Sequence, residues 1–361
     1  MKQLDVDALS RRLAFATTRR GAVVRLLSGV TAISSLGVTE DTLAKKKKKK
    51  DRGESYTDCT VCARGCAHST IEAAVAAANV DAIIKVAPGT YQPAASAGSI
   101  ALTIDKNLTL RACRANDRPI VKSRENAGIF GLSKRSNGAC VAITVEIDGF
   151  ILDGDNKPSL ALSAGCATTW TLRNSIVRKF RTLAHTNISG VPINVLSSAP
   201  GLIANSTISQ CESVGEQGGL ISSAVYVMTP IDSSANEAPL EIKDSTISGN
   251  SGSHGTILIM NKGKVTLSGT TQITDNTSVQ TGTGVLLFAT NQSPTPVYPG
   301  TLILTGTASI TNNRSSAGSG AGGIYVVEGS TVEGVTEDNV KDNSPNNYCE
   351  ALLSGGSSCT W

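Results

Sequence analysis

The chain is 361 residues long, 40% hydrophobic but only 4% aromatic, with 35 glycines and a formal net charge of +4. This admits one large domain with a core of Ile, Val, Leu and Ala, and no run of about 18 apolar residues exists to form a transmembrane helix. The positive charge is concentrated near the N-terminus, in the lysine run 45–50 and at Lys2, Arg11, Arg12, Arg19, Arg20 and Arg25; the remainder is acidic, so no nucleic-acid partner is implied.

Arg19-Arg20-Gly21-Ala22-Val23-Val24 leads into a mildly apolar stretch over 26–38, with small residues near Ala44. The pattern resembles a bacterial twin-arginine export signal, although Gly21 and Ala22 stand where that family prefers a polar residue and Phe. The resemblance implies an export segment over 1–44, a lysine-rich linker over 45–58 and an extracellular or cell-surface product. Nine cysteines follow, and export makes disulfides their expected state. Cys349 and Cys359 are placed to staple the tail, 346–361. Cys59-x2-Cys62-x3-Cys66, with His68 close by, reads as a disulfide knot. The competing reading, zinc or an iron–sulfur cluster, wants a second paired half that the chain lacks. Nine is odd, so at least one thiol stays free or pairs between chains.

Ser69-Thr70-Ile71-Glu72 has the form of a capping box with Ser69 at the N-cap, and Ile71, Ala74, Val75 and Ala78 follow at helical spacing. A short amphipathic helix over about 70–79 is predicted. Ile83-Ile84-Lys85-Val86 predicts a strand, Pro88-Gly89-Thr90-Tyr91 a turn, and Leu108-Thr109-Leu110 a second strand. This order of elements is similar to the N-terminal opening of secreted right-handed β-helix proteins, among them pectate lyases and pectin methylesterases. The resemblance implies an all-β, single-domain right-handed parallel β-helix over 59–345. Its helix would cap the open end of the coil stack, where unpaired strand groups invite association.

A short phrase then repeats. Ile247-Ser248-Gly249-Asn250 returns as Ile273-Thr274-Asp275-Asn276, Ile310-Thr311-Asn312-Asn313 and Val340-Lys341-Asp342-Asn343. Periods in this range mark a repeat architecture, here one β-helical coil per repeat. Stacked coils bring equivalent residues about 4.8 Å apart. Asn250, Asn276, Asn313 and Asn343 are therefore expected to form an inward ladder, since each amide both donates and accepts. Traced backwards, Thr207-Ile208-Ser209-Gln210-Cys211 aligns with Ser175-Ile176-Val177-Arg178-Lys179 and with Phe150-Ile151-Leu152-Asp153-Gly154. On this alignment the Asn position becomes Cys211, Lys179 and Gly154.

β-Helix polysaccharide lyases abstract a proton beside a uronate carboxylate, using a Lys or Arg base and calcium or cations to neutralise the acid. Asp148, Asp153 and Asp155 are the best local calcium ligands, and Asp153, Asp155 and Arg178 the candidate catalytic group, with Asp153 stacked on Arg178. The alternative for the same residues is an inter-coil salt bridge beside a polar turn. Pro93 stands where a pectin methylesterase has an acid. Ser253-His254-Gly255 is only a fragment of a polygalacturonase motif, and His68, His185 and His254 are dispersed. Two function classes remain. One is a noncatalytic surface or extracellular module binding glycans, with Trp170, Tyr226, Tyr298 and Tyr325 as stacking candidates. The other is a calcium-assisted lyase. A monomer is expected.

Overall fold

The computed structural model describes residues 56, 58–94, 100–183, 191–214, 224–229, 238–279, 282–288, 299–316, 320–327, 329–351 and 357–360. The chain divides into Met1–Ser55 and Tyr56–Trp361. The first unit, with the export segment and the lysine run, lies outside the described residues, as do His185 and Tyr298.

The second unit is a parallel β-helix. A nine-stranded sheet runs from Ala82–Val86 to Thr331–Glu333, a second nine-stranded sheet from Thr90–Tyr91 to Val340–Lys341, and a ten-stranded third sheet from Ile100–Ile104 to Ser357–Thr360. A short five-stranded sheet, from Arg181–Leu183 to Arg314–Ser315, inserts between the second and third. Neighbouring strands in these sheets are one coil apart and parallel; the exception is Ser357–Thr360, which closes the third sheet antiparallel to Tyr348–Ala351. The third sheet therefore takes in residues beyond 345.

Alternation builds the core. Ile143–Asp148 and Gly263–Ser268 bury every second residue, as strands with one face inward must. In the second sheet each three-residue strand turns only its middle side chain inward. Leu152, Val177, Ile208, Ile247, Ile273, Ile310 and Val340 form one buried column in register. Each such side chain contributes roughly 1.5–3 kcal/mol by leaving water.

Two hydrogen-bonded ladders clamp these short strands. After them, Oδ1 of Asn276 accepts both N–H and Nδ2 of Asn250 at 3.0 Å, and Oδ1 of Asn313 accepts N–H and Nδ2 of Asn276 at 3.2 and 2.8 Å. Asn343 does the same for Asn313, and Asn347 for Asn343. Each Nδ2 also reaches a carbonyl one coil back, from Asn250 to Ile208 and from Asn276 to Ile247. Before the strands runs a ladder of hydroxyls: Ser175, Ser206 and Ser245 each accept the preceding coil's amide at 3.1 Å, and Thr271 accepts that of Ser245 at 3.4 Å. The residue ahead of each asparagine is left-handed, with φ of 63° at Gly249, 56° at Asp275 and Asn312, and 58° at Asp342. Gly, Asn and Asp tolerate that conformation best, which explains the composition of the variable position.

Three expectations are corrected. Ile176, not Ser175, pairs with Thr207, so Phe180 rather than Lys179 occupies the place of Cys211. Lys179 (φ 58°) matches Gln210 (φ 56°) at the left-handed corner. A one-residue slip would have turned Val177 outward, and its full burial forbids that. The helix, α1, spans Ile71–Ala77 with Thr70 as N-cap, accepting from the Ala73 amide at 3.2 Å. Glu72 does not complete a capping box; its carboxylate accepts the Ala94 amide at 2.7 Å. Ile71, Ala74 and Val75 join the main core, and Lys106 donates to the Val75 and Ala78 carbonyls at the helix's C-terminal end, a favourable place for a cation.

The cysteines pair as Cys59–Cys113, Cys62–Cys66, Cys140–Cys166 and Cys349–Cys359, leaving Cys211 free and buried. The tail staple forms. The three N-terminal thiols are consumed in two separate bonds rather than one knot, so the zinc or iron–sulfur reading loses its ligands.

Candidate functional site

The outer face of the second sheet carries two straight rows, because its strands are in register. One row runs Ile120, Ile151, Ile176, Thr207, Thr246, Gln272, Ser309; the other runs Lys122, Asp153, Arg178, Ser209, Ser248, Thr274, Thr311. The N-terminal half is an isoleucine strip beside a charged line. The C-terminal half is made of hydroxyls and one amide.

Over the isoleucine strip lies an open depression of about 500 Å³, lined by Asn116, Asp117, Arg118, Ile120 and Ile151. Asp153, 5% exposed, directs Oδ2 at Arg178 Nε, 2.9 Å away, and Oδ1 accepts the Asp155 amide at 2.9 Å. This local bond stabilises the turn Asp153-Gly154-Asp155-Asn156, in which Asp155 and Asn156 are both left-handed, with φ of 54° and 56°. Gly154 is required where the next coil crosses: a Cβ there would fall on the Lys179 carbonyl and Phe180 Cα. Asp155 lies between Lys157 (2.8 Å) and Lys122 (3.3 Å). Their hydrogen bonds, that of Lys157 first, hold its carboxyl below the usual carboxylate range.

Asp153, Asp155 and Arg178 thus come together, but as a mutually satisfied ionic cluster. Asp148 is not part of it. It ends Ile143–Asp148 in the first sheet, beyond the corner at Gly149 (φ 83°). There it meets Arg111 and Arg173, each at 3.2 Å, and the Asn174 amide at 2.8 Å, beside Glu146. Among the described residues no three His, Cys, Asp or Glu side chains are grouped to hold a metal ion. Calcium requires several free hard oxygens. Asp153 Oδ2 and both Asp155 oxygens already face cations, and Asp153 Oδ1 is held by the Asp155 amide, so the residues present do not fit it.

The aromatic candidates are also redistributed. Trp170 is 1% exposed and points into the coil, against Gly201 of the next strand. Tyr226 and Tyr325 lie on the outer face of the third sheet, packed with Leu258, Met260 and Leu286 in a second apolar cluster. Burial pushes the Tyr226 hydroxyl up to about 12, and its oxygen contacts Met228 Sδ at 3.1 Å. His254 is buried with Nδ1 3.2 Å from Ser253 Oγ, and burial pushes its pKa down to about 4.

Sequence reasoning passed over the isoleucine strip, the paired hydroxyl rows and the hydroxyl ladder. The signal for the outer rows was present in Thr207-Ile208-Ser209 and Thr246-Ile247-Ser248, where a buried isoleucine sets the two flanking hydroxyls outward.

No family model matches the chain, and neither a curated protein nor a solved structure matches it.

Proposed function

We propose that the chain is an exported, noncatalytic β-helical module that holds a glycan chain across the outer face of its second sheet. The observation that carries this reading is the mutual satisfaction of Asp153, Asp155, Arg178, Lys122 and Lys157. A lyase needs a base free to take a proton; here each candidate group is engaged by an opposite charge. What the face offers instead is binding chemistry. Isoleucines at 120, 151 and 176 present apolar surface to sugar-ring C–H groups. Polar side chains beside them supply donors and acceptors, as small-ligand sites combine the two.

Export is supported by the twin-arginine-like segment and by four disulfides, which persist in oxidising compartments. Among the described residues no helix is long and apolar enough to cross a membrane.

The experiment has two arms. The protein is incubated with a panel of polyuronides, with calcium and with chelator, and unsaturated product is followed by ultraviolet absorbance; it is also applied to a glycan array. The expected result is no product, with retention on a glycan that Ile151→Ser weakens at unchanged melting temperature. Calcium-dependent product that disappears in Asp153→Ala overturns the noncatalytic reading. Absence of retention on every glycan overturns the binding reading.

A further inference from the structure

The C-terminal half of the second sheet has a property that a single polymer chain does not require. Thr207, Thr246, Gln272 and Ser309 form one row, and Ser209, Ser248, Thr274 and Thr311 the other, over four successive coils. Rows repeat about 4.8 Å from strand to strand and lie about 6.6 Å apart along each strand. None of the eight side chains is ionisable or buried. The side-chain oxygens of Thr207, Ser209, Thr246, Ser248 and Ser309 have no partner within the described protein. Thr274 and Thr311 make only surface contacts, to Asp275 at 3.1 Å and to each other at 3.4 Å. The result is an array of seven hydroxyls and one amide, each both donor and acceptor, repeating in two dimensions, with five of the hydroxyls unpartnered among the described residues.

The array is held rigidly. Each three-residue strand lies between the hydroxyl ladder or a buried Ala308 on one side and Cys211 or an asparagine rung on the other, with a buried isoleucine beneath its centre. Ordering the surface has therefore been completed by folding, and little entropy is left to lose on contact.

A glycan chain repeats along one direction. A partner that exploits two fixed spacings at once is a lattice. Crystalline polysaccharide is met by flat aromatic strips, and no aromatic side chain stands in these rows. A lattice of water asks for neutral groups that donate and accept in turn, interspersed with methyls such as those of Thr207, Thr246, Thr274 and Thr311. The strand-to-strand spacing lies close to an oxygen repeat on the faces of hexagonal ice. We infer that the Thr/Ser rows of the second sheet are an ice-binding surface, a further activity that does not rest on the glycan reading.

The test follows fluorescently labelled full chain during slow growth of an ice shell and measures thermal hysteresis in the same samples. The expected result is incorporation into the ice and a measurable hysteresis gap. Thr246→Tyr, at the centre of the array, should lose both; Thr266→Tyr, on the outer face of the first sheet, should keep both. Circular-dichroism melting confirms that each variant folds, and Ser248→Tyr replaces Thr246→Tyr if that variant does not. Exclusion of the full chain from ice, or incorporation of the array variant equal to that of Thr266→Tyr, overturns the proposal. So does retention on crystalline cellulose or chitin without adsorption to ice, which makes solid polysaccharide the partner.

Discussion

Replacing Asn276 by alanine removes the centre of the asparagine ladder. Asn276 is fully buried, and its side chain accepts the N–H and Nδ2 of Asn250 and donates to the Ile247 carbonyl and Asn313 Oδ1. Asn250 Nδ2 retains the Ile208 carbonyl, and Asn313 Oδ1 retains the Asn276 amide. The Asn250 amide and the Ile247 carbonyl lose these side-chain partners. At about 1–3 kcal/mol for each orphaned buried group, the expected loss is about 4 kcal/mol. Urea unfolding followed by far-ultraviolet circular dichroism measures it, with exposed Thr277→Ala expected within about 0.5 kcal/mol of the parent. The double variant Asn250→Ala/Asn276→Ala should cost less than the sum of the single losses, because both remove the same bonds. A loss for Asn276→Ala no larger than that for Thr277→Ala would refute the ladder as a source of stability.

Gly201→Ala should destabilise by about 2 kcal/mol, since its Cβ would lie 2.6 Å from the Trp170 ring, which is buried in the core; thermal melting checks this, and an unchanged midpoint would show that the ring can shift. His254 has a folded pKa of about 4 against 6.5 in the free side chain. Its contribution is therefore complete above about pH 6.5 and declines as pH falls toward 4, by about 3 kcal/mol. Stability measured from pH 7 to 4 should show this slope, and His254→Gln should flatten it. Cys211 is buried and its thiol is pushed up to about 12 by desolvation, so it should react with a thiol reagent only as fast as the protein unfolds; rapid labelling of the folded state would contradict the packing.

The phrase Ile-Ser/Thr-x-Asn was readable because it encodes three needs at once: an inward apolar residue, a left-handed corner and a rung. The hydroxyl ladder was not, because Ser175, Ser206 and Ser245 look like any other serine until the coils are stacked. The direction of Trp170 was available in Thr168-Thr169-Trp170-Thr171-Leu172, where alternation puts it on the side of Leu172. Its rarity drew it instead toward a binding role. Asp148 and Asp153 are close in sequence, but the corner at Gly149 separates their sheets. Proximity along the chain says little across a coil corner. The pairing of Cys59 with Cys113 depended on where the second coil begins, which spacing alone does not determine.

Successive rungs from Cys211 through Asn343 are separated by 39, 26, 37 and 30 residues, yet all bond to their neighbours in the same way. The length of a coil is thus independent of the step it makes along the axis. A segment gained between Glu212–Val214 and Val225–Met228 would leave every later strand in place, whereas one residue gained inside a three-residue strand would exchange its inner and outer faces. In evolutionary terms the connections flanking the third sheet are free to change by insertion and deletion, while the strands and the asparagine corner admit only substitution. A lineage built on this stack can acquire or discard a surface loop in one genetic event, with no compensating change in its interior.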